Sequence, residues 1–393
     1  MFYPRTILPQ LEKELTEKEN TVITGMRQVG KTSILQYLFS HVTTSNKVML
    51  DLENPLYRKV FEEENYDAIW NNLAAFGVTN TRKAYIFLDE VQNLPVISKV
   101  VKYLSDHWDV KFILTGSSSY YLKNLFPESM AGRKVVFELF PLTFSEFLLF
   151  KEVPRTNIAT FQQKAASKNK ILYERHVSLY KEFIEFGGFP RVVLEQDISR
   201  KHVLLFEIFK SYFEVDVKSL AQLKDTAKLR DLILLLIPRV GSRIEIAKLA
   251  ASLTLSRETV YSYLSFLEHT YFISLLPKFS GSIDRQAAGS QKLFLCDTGM
   301  ANALGKISEG QLFEQSVFQN LHPFHKLQYF AKDSLAEIDF IVDGRIALEV
   351  KVSSSRRDIA HLQARSSSLA LPEHYVVTKE YSAEKEAVIS TDL

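Results

Sequence analysis

Two short segments near the amino terminus carry residue types that suit phosphate chemistry. The first, GMRQVGKT at residues 25–32, has the spacing G-x-x-x-x-G-K-[ST] of a phosphate-binding loop. Glycine is needed at both ends because backbone N–H groups must approach the phosphates without an obstructing Cβ. The lysine of such a loop holds the β- and γ-phosphates, and the next hydroxyl binds Mg²⁺. We predict a nucleoside triphosphate site formed by Gly25, Met26, Arg27, Gln28, Val29, Gly30, Lys31, Thr32 and Ser33.

The second segment, AYIFLDEVQNL at residues 84–94, supplies an acidic pair. Asp89 and Glu90 follow an apolar run that is typical of a buried strand. In an open parallel sheet, ligands bind at the carboxyl ends of the strands. Asp89 then suits a water-mediated Mg²⁺ ligand, and Glu90 suits the general base that orients the attacking water. The alternative is an acidic pair that only begins a solvated loop.

Further residues are candidates for sensing or completing the nucleotide site. A third apolar strand at 111–114 leads into TGSS at 115–118, where a hydroxyl, with Ser117 our candidate, is placed to sense the γ-phosphate. An ordinary polar turn is the alternative. Arg133 is a candidate either for an arginine finger that reaches a neighbouring subunit or for a nucleotide contact in its own subunit. Arg27, inside the phosphate-binding loop, is a second candidate for an arginine that contacts nucleotide, and it could equally contact the lid of its own subunit.

Several motifs resemble one family. The segments GMRQVGKTS, YIFLDEVQ, ILTGSSS, AGR (131–133) and PLTFSEF (141–147) are similar to those of bacterial and archaeal AAA+-type ATPases of largely unknown role. In that family a C-terminal domain of unknown function follows the ATPase core. GGFPRVV (187–193), KLFLCDTGM (292–300) and LFEQSV (312–317) resemble that second domain. The resemblance covers nearly the whole chain and implies ATP as the nucleotide.

Composition agrees with a modular globular protein. A length of 393 residues predicts two to three domains, and 46% hydrophobic with 24% charged residues is ordinary for such chains. The 48 basic and 46 acidic residues give a net charge of +2, so binding to DNA or RNA would have to be local. A single cysteine cannot form an internal disulfide and indicates a reducing, cytoplasmic compartment. We expect no membrane span, because no apolar run is long enough.

The middle of the chain predicts helices followed by a winged helix. Residues 173–236 have mostly helical periodicity, and residues 244–269 have the spacing of a helix-turn-helix, with Ser256 as the N-cap of its second helix. A strand at 271–277 would add the wing. The exposed face of the second helix would present Arg257, Glu258, Tyr261 and Ser262. That face is only weakly basic, so docking of a protein partner and contact with DNA both stay open.

A second kind of chemistry is indicated by EIDFIVDGRIALEVK at residues 337–351. This segment resembles the D…(E)xK core of the PD-(D/E)xK nuclease superfamily. The resemblance implies that Asp339 and Glu349 hold Mg²⁺ or Mn²⁺, that Glu314 completes the metal site, and that Lys351 positions or activates the attacking water. The alternative is that Glu349 and Lys351 are only an ion pair on an edge strand.

The length of the loop at Asp343-Gly344 tests the metal hypothesis. A two-residue turn would pair Asp339 with Leu348 and place Asp339 and Glu349 on opposite faces of the hairpin. A three-residue loop with a left-handed Gly344 would make a bulge and bring both carboxylates to one face. We predict the three-residue loop.

Together these patterns predict an α/β protein with four segments. They are a P-loop, AAA+-like parallel-sheet domain (1–150), a helical linker or lid (151–237), a winged-helix-like segment (238–285) and an α/β PD-(D/E)xK nuclease-like domain (286–393). The favoured function is an ATP-hydrolysing protein coupled to a nuclease-like domain that binds nucleic acid. The alternative is a nucleotide-dependent switch or scaffold that acts through protein partners without cutting. An oligomer is compatible with either function.

Overall fold

The chain divides into two units. A computed structural model describes residues 2–117, 132–154, 160–217, 225–280, 289–332 and 336–393. The first unit comprises Met1–Phe140 with His269–Tyr271, and the second comprises Pro141–Glu268 with Phe272–Leu393. Residues 141–150, which we assigned to the ATPase domain, therefore belong to the second unit. Among the described residues, no helix has the length and apolar character needed to cross a membrane.

The first unit is built on a parallel sheet of five strands. The strands are β1 (Asn20–Thr24), β2 (Lys47–Asp51), β3 (Ala84–Asp89), β4 (Val110–Gly116) and β5 (Lys134–Glu138), in the spatial order β2-β3-β4-β1-β5. Its helices are α1 (Leu8–Glu14), α2 (Lys31–His41), α3 (Pro55–Arg58), α4 (Ile69–Ala74) and α5 (Ile97–His107). β1 and β4 are buried along their whole length, as expected for strands covered on both faces. The predicted parallel α/β sheet is confirmed.

The strand order explains where a ligand can bind. Because all five strands are parallel, their carboxyl ends share one edge of the sheet. The loop after β1 and the acidic pair after β3 both lie at that edge. β4 lies between β1 and β3, so the polar residues at its end are placed between the loop and the acidic pair.

Helices dominate the first half of the second unit, as the periodicity predicts. They are α6 (Phe144–Phe150), α7 (Phe161–Ala166), α8 (Lys170–Phe186), α9 (Pro190–Leu194), α10 (Ile198–Ser211) and α11 (Thr226–Leu236). Their apolar faces are buried, with Tyr180 and Phe183 on α8 at most 1% exposed. A π-helical turn over 212–217 continues α10.

Two helices and a small sheet follow. α12 (Ile246–Leu253) and α13 (Arg257–His269) are joined by a turn in which Thr254 has a left-handed φ of 55°. Ser256 caps α13, because its Oγ accepts from Thr259 N at 3.1 Å, as predicted. β6 (Ile273–Leu276) and β7 (Lys292–Leu295) then pair antiparallel. A winged helix stays a prediction for this segment.

The carboxyl-terminal part is a mixed five-stranded sheet with helices. α14 (Thr298–Leu304) and α15 (Glu309–Leu321) precede β8 (Leu327–Lys332), β9 (Ala336–Val342) and β10 (Ile346–Lys351), which pair antiparallel. α16 (Arg356–Ser368) then leads to β11 (Glu373–Thr378) and β12 (Ala387–Ile389), which add in parallel. Ile338, Ile341, Ala347 and Val376 are fully buried in the core, together with Leu362 of α16.

Candidate functional site

The loop between β1 and α2 has the backbone that phosphate binding requires. Gly25 has a φ of 152° and Gly30 a φ of 102°, both conformations that favour glycine. A Cβ at Gly25 would lie 2.0 Å from Leu139 O, so any side chain there would collide with the backbone. α2 begins at Lys31, directly after the loop, and the positive end of the helix dipole favours an anion there.

Lys31 is held against this loop. Its Nζ donates to Gly25 O and Met26 O, both at 2.9 Å, and the residue is only 4% exposed. Its ammonium group therefore lies where the loop curls around the predicted phosphates. Phosphate oxygens are stronger acceptors for an ammonium group than neutral carbonyls are, so a nucleotide can draw the group from these carbonyls.

Arg5 braces the loop from outside the motif. Its NH1 donates to Val29 O at 2.9 Å and its NH2 to Phe140 O at 2.8 Å, and the residue is buried. One guanidinium thus ties the phosphate-binding loop to the segment after β5. Arg5 was not predicted, because it lies twenty residues before the motif and no spacing rule links the two.

The acidic pair is joined to β4 through a threonine. Asp89 is 3% exposed at the end of β3, and its Oδ1 accepts from Thr115 Oγ1. Thr115 Oγ1 in turn accepts from the backbone N–H of Glu90 at 3.2 Å. Glu90 has a left-handed φ of 52°, a conformation that costs free energy for a residue with a side chain. These contacts fix the backbone position from which the Glu90 side chain projects at the end of β3.

Gln92 links the predicted base to the predicted sensor. Its Nε2 donates to Glu90 Oε2 and, at 3.0 Å, to Ser117 Oγ. Ser117 is buried at the end of β4, between the loop and the acidic pair. Ser118 and Ala131 lie outside the described residues. Gln92 was not predicted as a site residue, yet it directly contacts both predicted groups.

The P-loop arginine contacts an acidic residue after β2. Arg27 NH1 lies 3.9 Å from Glu53 Oε1. Partial burial raises the pKa of the Glu53 carboxyl, and the nearby Glu90 and Asp51 raise it further. Glu53 is therefore close enough to the acidic pair for the charge of Glu90 to raise its pKa. The ion pair with Glu53 also engages one side of the Arg27 guanidinium.

The donor set fits a nucleotide with its magnesium ion. Mg²⁺ at a phosphate-binding site takes most of its ligands from phosphate and water, so the protein needs to supply only one or two. Thr32 and Ser33 are exposed in the first turn of α2, and Asp89 is a buried carboxylate at the same edge of the sheet. Thr32 and Asp89 are the residues that would hold the ion.

Arg133 is in the wrong place for a nucleotide contact within its own subunit. It directly precedes β5, whose first residue, Lys134, pairs with Asn20 at the start of β1. Arg133 therefore lies at the amino edge of the parallel sheet, opposite the phosphate-binding loop. Its Nε is 2.7 Å from Asp106 Oδ1 at the end of α5. The predicted contact in its own subunit is wrong, and a role towards a neighbouring subunit stays a prediction.

The hairpin between β9 and β10 has the predicted three-residue loop. Val342 pairs with Ile346, and Gly344 is left-handed with a φ of 68°. Arg345 N also donates to Val342 O at 3.0 Å, so Arg345 is the extra residue opposite Val342. Continuing the register past Leu348 and Phe340 sets Asp339 opposite Glu349 on one face. The register prediction is confirmed.

The two paired carboxylates are already bound by donors from the chain. Asp339 Oδ2 accepts from Val350 N at 2.8 Å. Glu349 Oε1 lies 3.0 Å from Lys351 Nζ, and Glu349 Oε2 lies 3.3 Å from NH1 of Arg365 on α16. Burial raises the pKa of the Glu349 carboxyl, as does Asp339, whereas Lys351 and Arg365 lower it.

A buried lysine connects the remaining carboxylates. Lys292 of β7 is 2% exposed at its side chain, and its Nζ lies 2.6 Å from Glu314 Oε1, 2.9 Å from Glu337 Oε1 and 3.4 Å from Asp339 Oδ1. Burial lowers the pKa of Lys292, but these three carboxylates raise it well above its ordinary value. Lys292 is therefore an ammonium ion at neutral pH. Lys292 was not predicted, because KLFLC has the pattern of any buried strand.

The predicted metal ligands Glu314, Asp339 and Glu349 are thus brought into one cluster, but in this arrangement a metal ion does not fit among them. The Lys292 ammonium group occupies the space between Glu314 and Asp339. Within the described ranges, no group of three or more His, Cys, Asp or Glu residues is arranged to hold a metal ion. The prediction of a divalent ion here conflicts with the lysine.

Two family models match parts of the chain. Residues 17–148 match an AAA domain, and residues 177–311 match a domain of unknown function (DUF8612). The first match contains the phosphate-binding loop, the acidic pair and Ser117. The chain therefore contains an ATP-binding P-loop domain of the AAA type. The second match ends before Asp339 and Glu349, so neither of these matches supports a nuclease-like domain.

The chain is also similar to full-length proteins. An uncharacterised protein of Methanocaldococcus jannaschii is 27% identical over 372 residues, which are 90% of this chain and 80% of that protein. An uncharacterised protein of Haemophilus influenzae is 28% identical over 334 residues, or 81% and 78% of the two chains. Among solved structures, the Aeropyrum pernix ORC1 protein in complex with DNA is 13% identical with a TM-score of 0.33, covering 77% of this chain and 92% of that one. A TM-score of this size does not establish a common architecture.

Proposed function

We propose that this protein is an ATP-hydrolysing switch, in which the first unit binds and hydrolyses ATP. The observation that carries the proposal is the hydrogen-bonded chain from Glu90 through Gln92 to Ser117. A carboxylate that activates water must be oriented, and a switch must distinguish ATP from ADP. One glutamine side chain that contacts both groups meets both needs.

Each residue has a defined part in hydrolysis. The N–H groups of the loop between Gly25 and Gly30, together with Lys31, hold the phosphates and offset their charge. Glu90 accepts a proton from the attacking water, and Gln92 holds the Glu90 carboxylate in position. When bound, Mg²⁺ supplies the positive charge that offsets the charge developing on the transferred phosphoryl group. Thr32 and Asp89 are the residues that would hold it.

Substitution of Glu90 separates binding from hydrolysis. We expect Glu90→Gln to bind a fluorescent ATP analogue as tightly as the wild type does but to lose roughly 10²- to 10⁴-fold in turnover, the usual contribution of a general base. Lys31→Ala is the control for binding, and it should lose the analogue as well. Equal ATPase rates in Glu90→Gln and the wild type would remove Glu90 from the role of base.

A second candidate function is a nuclease-like domain that acts on DNA or RNA. It is favoured by the hairpin register that brings Asp339, Glu349 and Lys351 to one face. The position of Lys292 argues against metal-dependent cutting in this arrangement. The test is a panel of single-stranded, duplex and branched DNA and RNA with Mg²⁺ or Mn²⁺, with and without ATP. Cleavage that Asp339→Ala abolishes would establish the nuclease.

The absence of cleavage would have a definite meaning if the same preparation hydrolyses ATP. The protein would then act through partners, and the exposed face of α13 that carries Tyr261 is the proposed docking surface. Retention of a labelled duplex without cutting would instead assign nucleic-acid binding to that surface or to the surroundings of Glu314, Asp339 and Glu349. An oligomer is compatible with each outcome.

A further inference from the structure

We propose that Lys292 is a tethered cation that takes the place of a divalent metal in the carboxyl-terminal acidic cluster. The cluster consists of Glu314, Glu337, Asp339 and Glu349 with Lys292, Lys351 and Arg365. The wild-type protein then carries its own counter-ion at this site and excludes divalent ions from it. The proposal is independent of the nucleotide site and of ATP hydrolysis.

The first support is geometric. The Lys292 Nζ lies within 2.6 to 3.4 Å of oxygens of three carboxylates, one on α15 and two on β9. A metal ion that bridged Glu314 and Asp339 would have to occupy the position of this ammonium group. The second oxygen of Asp339 is bound to Val350 N, so the carboxylate is fixed in its orientation towards the lysine.

The second support is that the lysine is anchored. Lys292 pairs with Leu276 across the β6–β7 ladder. The next residue exchanges backbone hydrogen bonds with the segment before α12, because Leu293 N donates to Ser242 O at 3.0 Å and Leu293 O accepts from Gly241 N at 2.8 Å. With 2% of its side chain exposed, Lys292 is not a surface lysine that swings into the cluster from solvent. The Lys292 ammonium group is therefore held in place by the backbone hydrogen bonds and the burial of its strand.

The third support is charge. Four carboxyl groups in the cluster face three cationic side chains, so removal of Lys292 would leave four against two. An excess of negative charge in such a partly buried cluster is unfavourable unless a cation enters or protons bind. One divalent ion would balance that excess. The cluster therefore has the composition of a metal site, with an ammonium group in the place of the metal.

The experiment measures Mn²⁺ binding to the full chain by electron paramagnetic resonance without nucleotide. We expect Lys292→Met to bind about one additional Mn²⁺ per chain, roughly tenfold or more tightly than any site in the wild type. Adding Asp339→Asn to that variant should abolish the gain. Lys351→Met is the matched control, because it removes a lysine from the same cluster but leaves Lys292, and it should not create the site.

Two results would overturn the proposal. One is Mn²⁺ binding by the wild type that Asp339→Asn removes, since a metal would then bind alongside the lysine. The other is a folded Lys292→Met protein that gains no Mn²⁺. If Lys292→Met does not fold, Lys292→Gln keeps a polar side chain of similar length. The wild-type comparison with Asp339→Asn decides the question even if neither Lys292 variant folds.

Discussion

Gly25→Ala is expected to impair ATP binding and hydrolysis by displacing the phosphate-binding loop. The new Cβ would lie 2.0 Å from Leu139 O, whereas an ordinary contact begins at 3.4 Å, so the two must separate by about 1.4 Å. Leu139 cannot easily retreat, because its N–H donates to Thr24 O at 2.7 Å. The loop itself must move. A misplacement of about 1 Å costs on the order of 10²-fold in rate, so we expect kcat/KM for ATP to fall by at least that factor.

The assay is steady-state ATP hydrolysis, with binding of a fluorescent ATP analogue and a thermal melt of the same preparations. Gly77→Ala is the matched control within the same unit. Gly77 has a φ of 78°, and a Cβ there would meet nothing within 4 Å, so it introduces left-handed strain of about 1–2 kcal/mol without a collision. It should keep wild-type activity. A folded Gly25→Ala protein that hydrolyses ATP within about tenfold of the wild type would refute this reasoning.

Two further predictions concern the second unit, where Asp297 is fully buried and accepts from Gly188 N at 2.6 Å and Met300 N at 3.0 Å. Gly187→Ala would place a Cβ 1.9 Å from Asp297 Oδ1, and displacing that carboxylate should cost at least about 3 kcal/mol more in urea unfolding than the collision-free Gly344→Ala. Burial raises the pKa of Asp297 from 3.8 to about 6. Its stabilising contribution is therefore complete below about pH 4 and is lost as the pH rises through about 6, up to about 3 kcal/mol in the free energy of unfolding.

The outcomes that contradict these two predictions are distinct. Equal losses of stability in Gly187→Ala and Gly344→Ala would show that the Asp297 carboxylate moves aside at no cost. For the pH prediction, the comparison is the slope of unfolding free energy between pH 4 and 6 in the wild type and in Asp297→Asn. The slope should be flatter in the variant, whatever its absolute stability. An unchanged slope would assign the titration to another group.

Much of the nucleotide site was predictable from the sequence because it is local. The loop, α2 and the acidic pair are each defined by residues within about a dozen positions, and a parallel sheet brings the ends of its strands to one edge. Arg5 and Gln92 were not predictable in the same way. Their roles depend on contacts with Val29 and Ser117 that arise only after the strands assemble. The predicted nucleotide contact of Arg133 in its own subunit was wrong for the same reason, because the direction of β5 decides which edge of the sheet Arg133 occupies.

The carboxyl-terminal cluster was only partly predictable from the residues of its own hairpin. In a hairpin the side chains alternate with a period of two, so one extra loop residue decides whether Asp339 and Glu349 share a face. That parity could be worked out from the segment alone, and Ile346 does pair with Val342. The identity of the cation beside these carboxylates could not be worked out from that segment. Lys292 comes from a different strand, 47 residues before Asp339, and only the packing of β7 against β9 and α15 brings it there. An acidic constellation in a sequence therefore predicts that some cation will be present, but whether a metal ion or a lysine fills that role depends on which distant side chain the fold delivers.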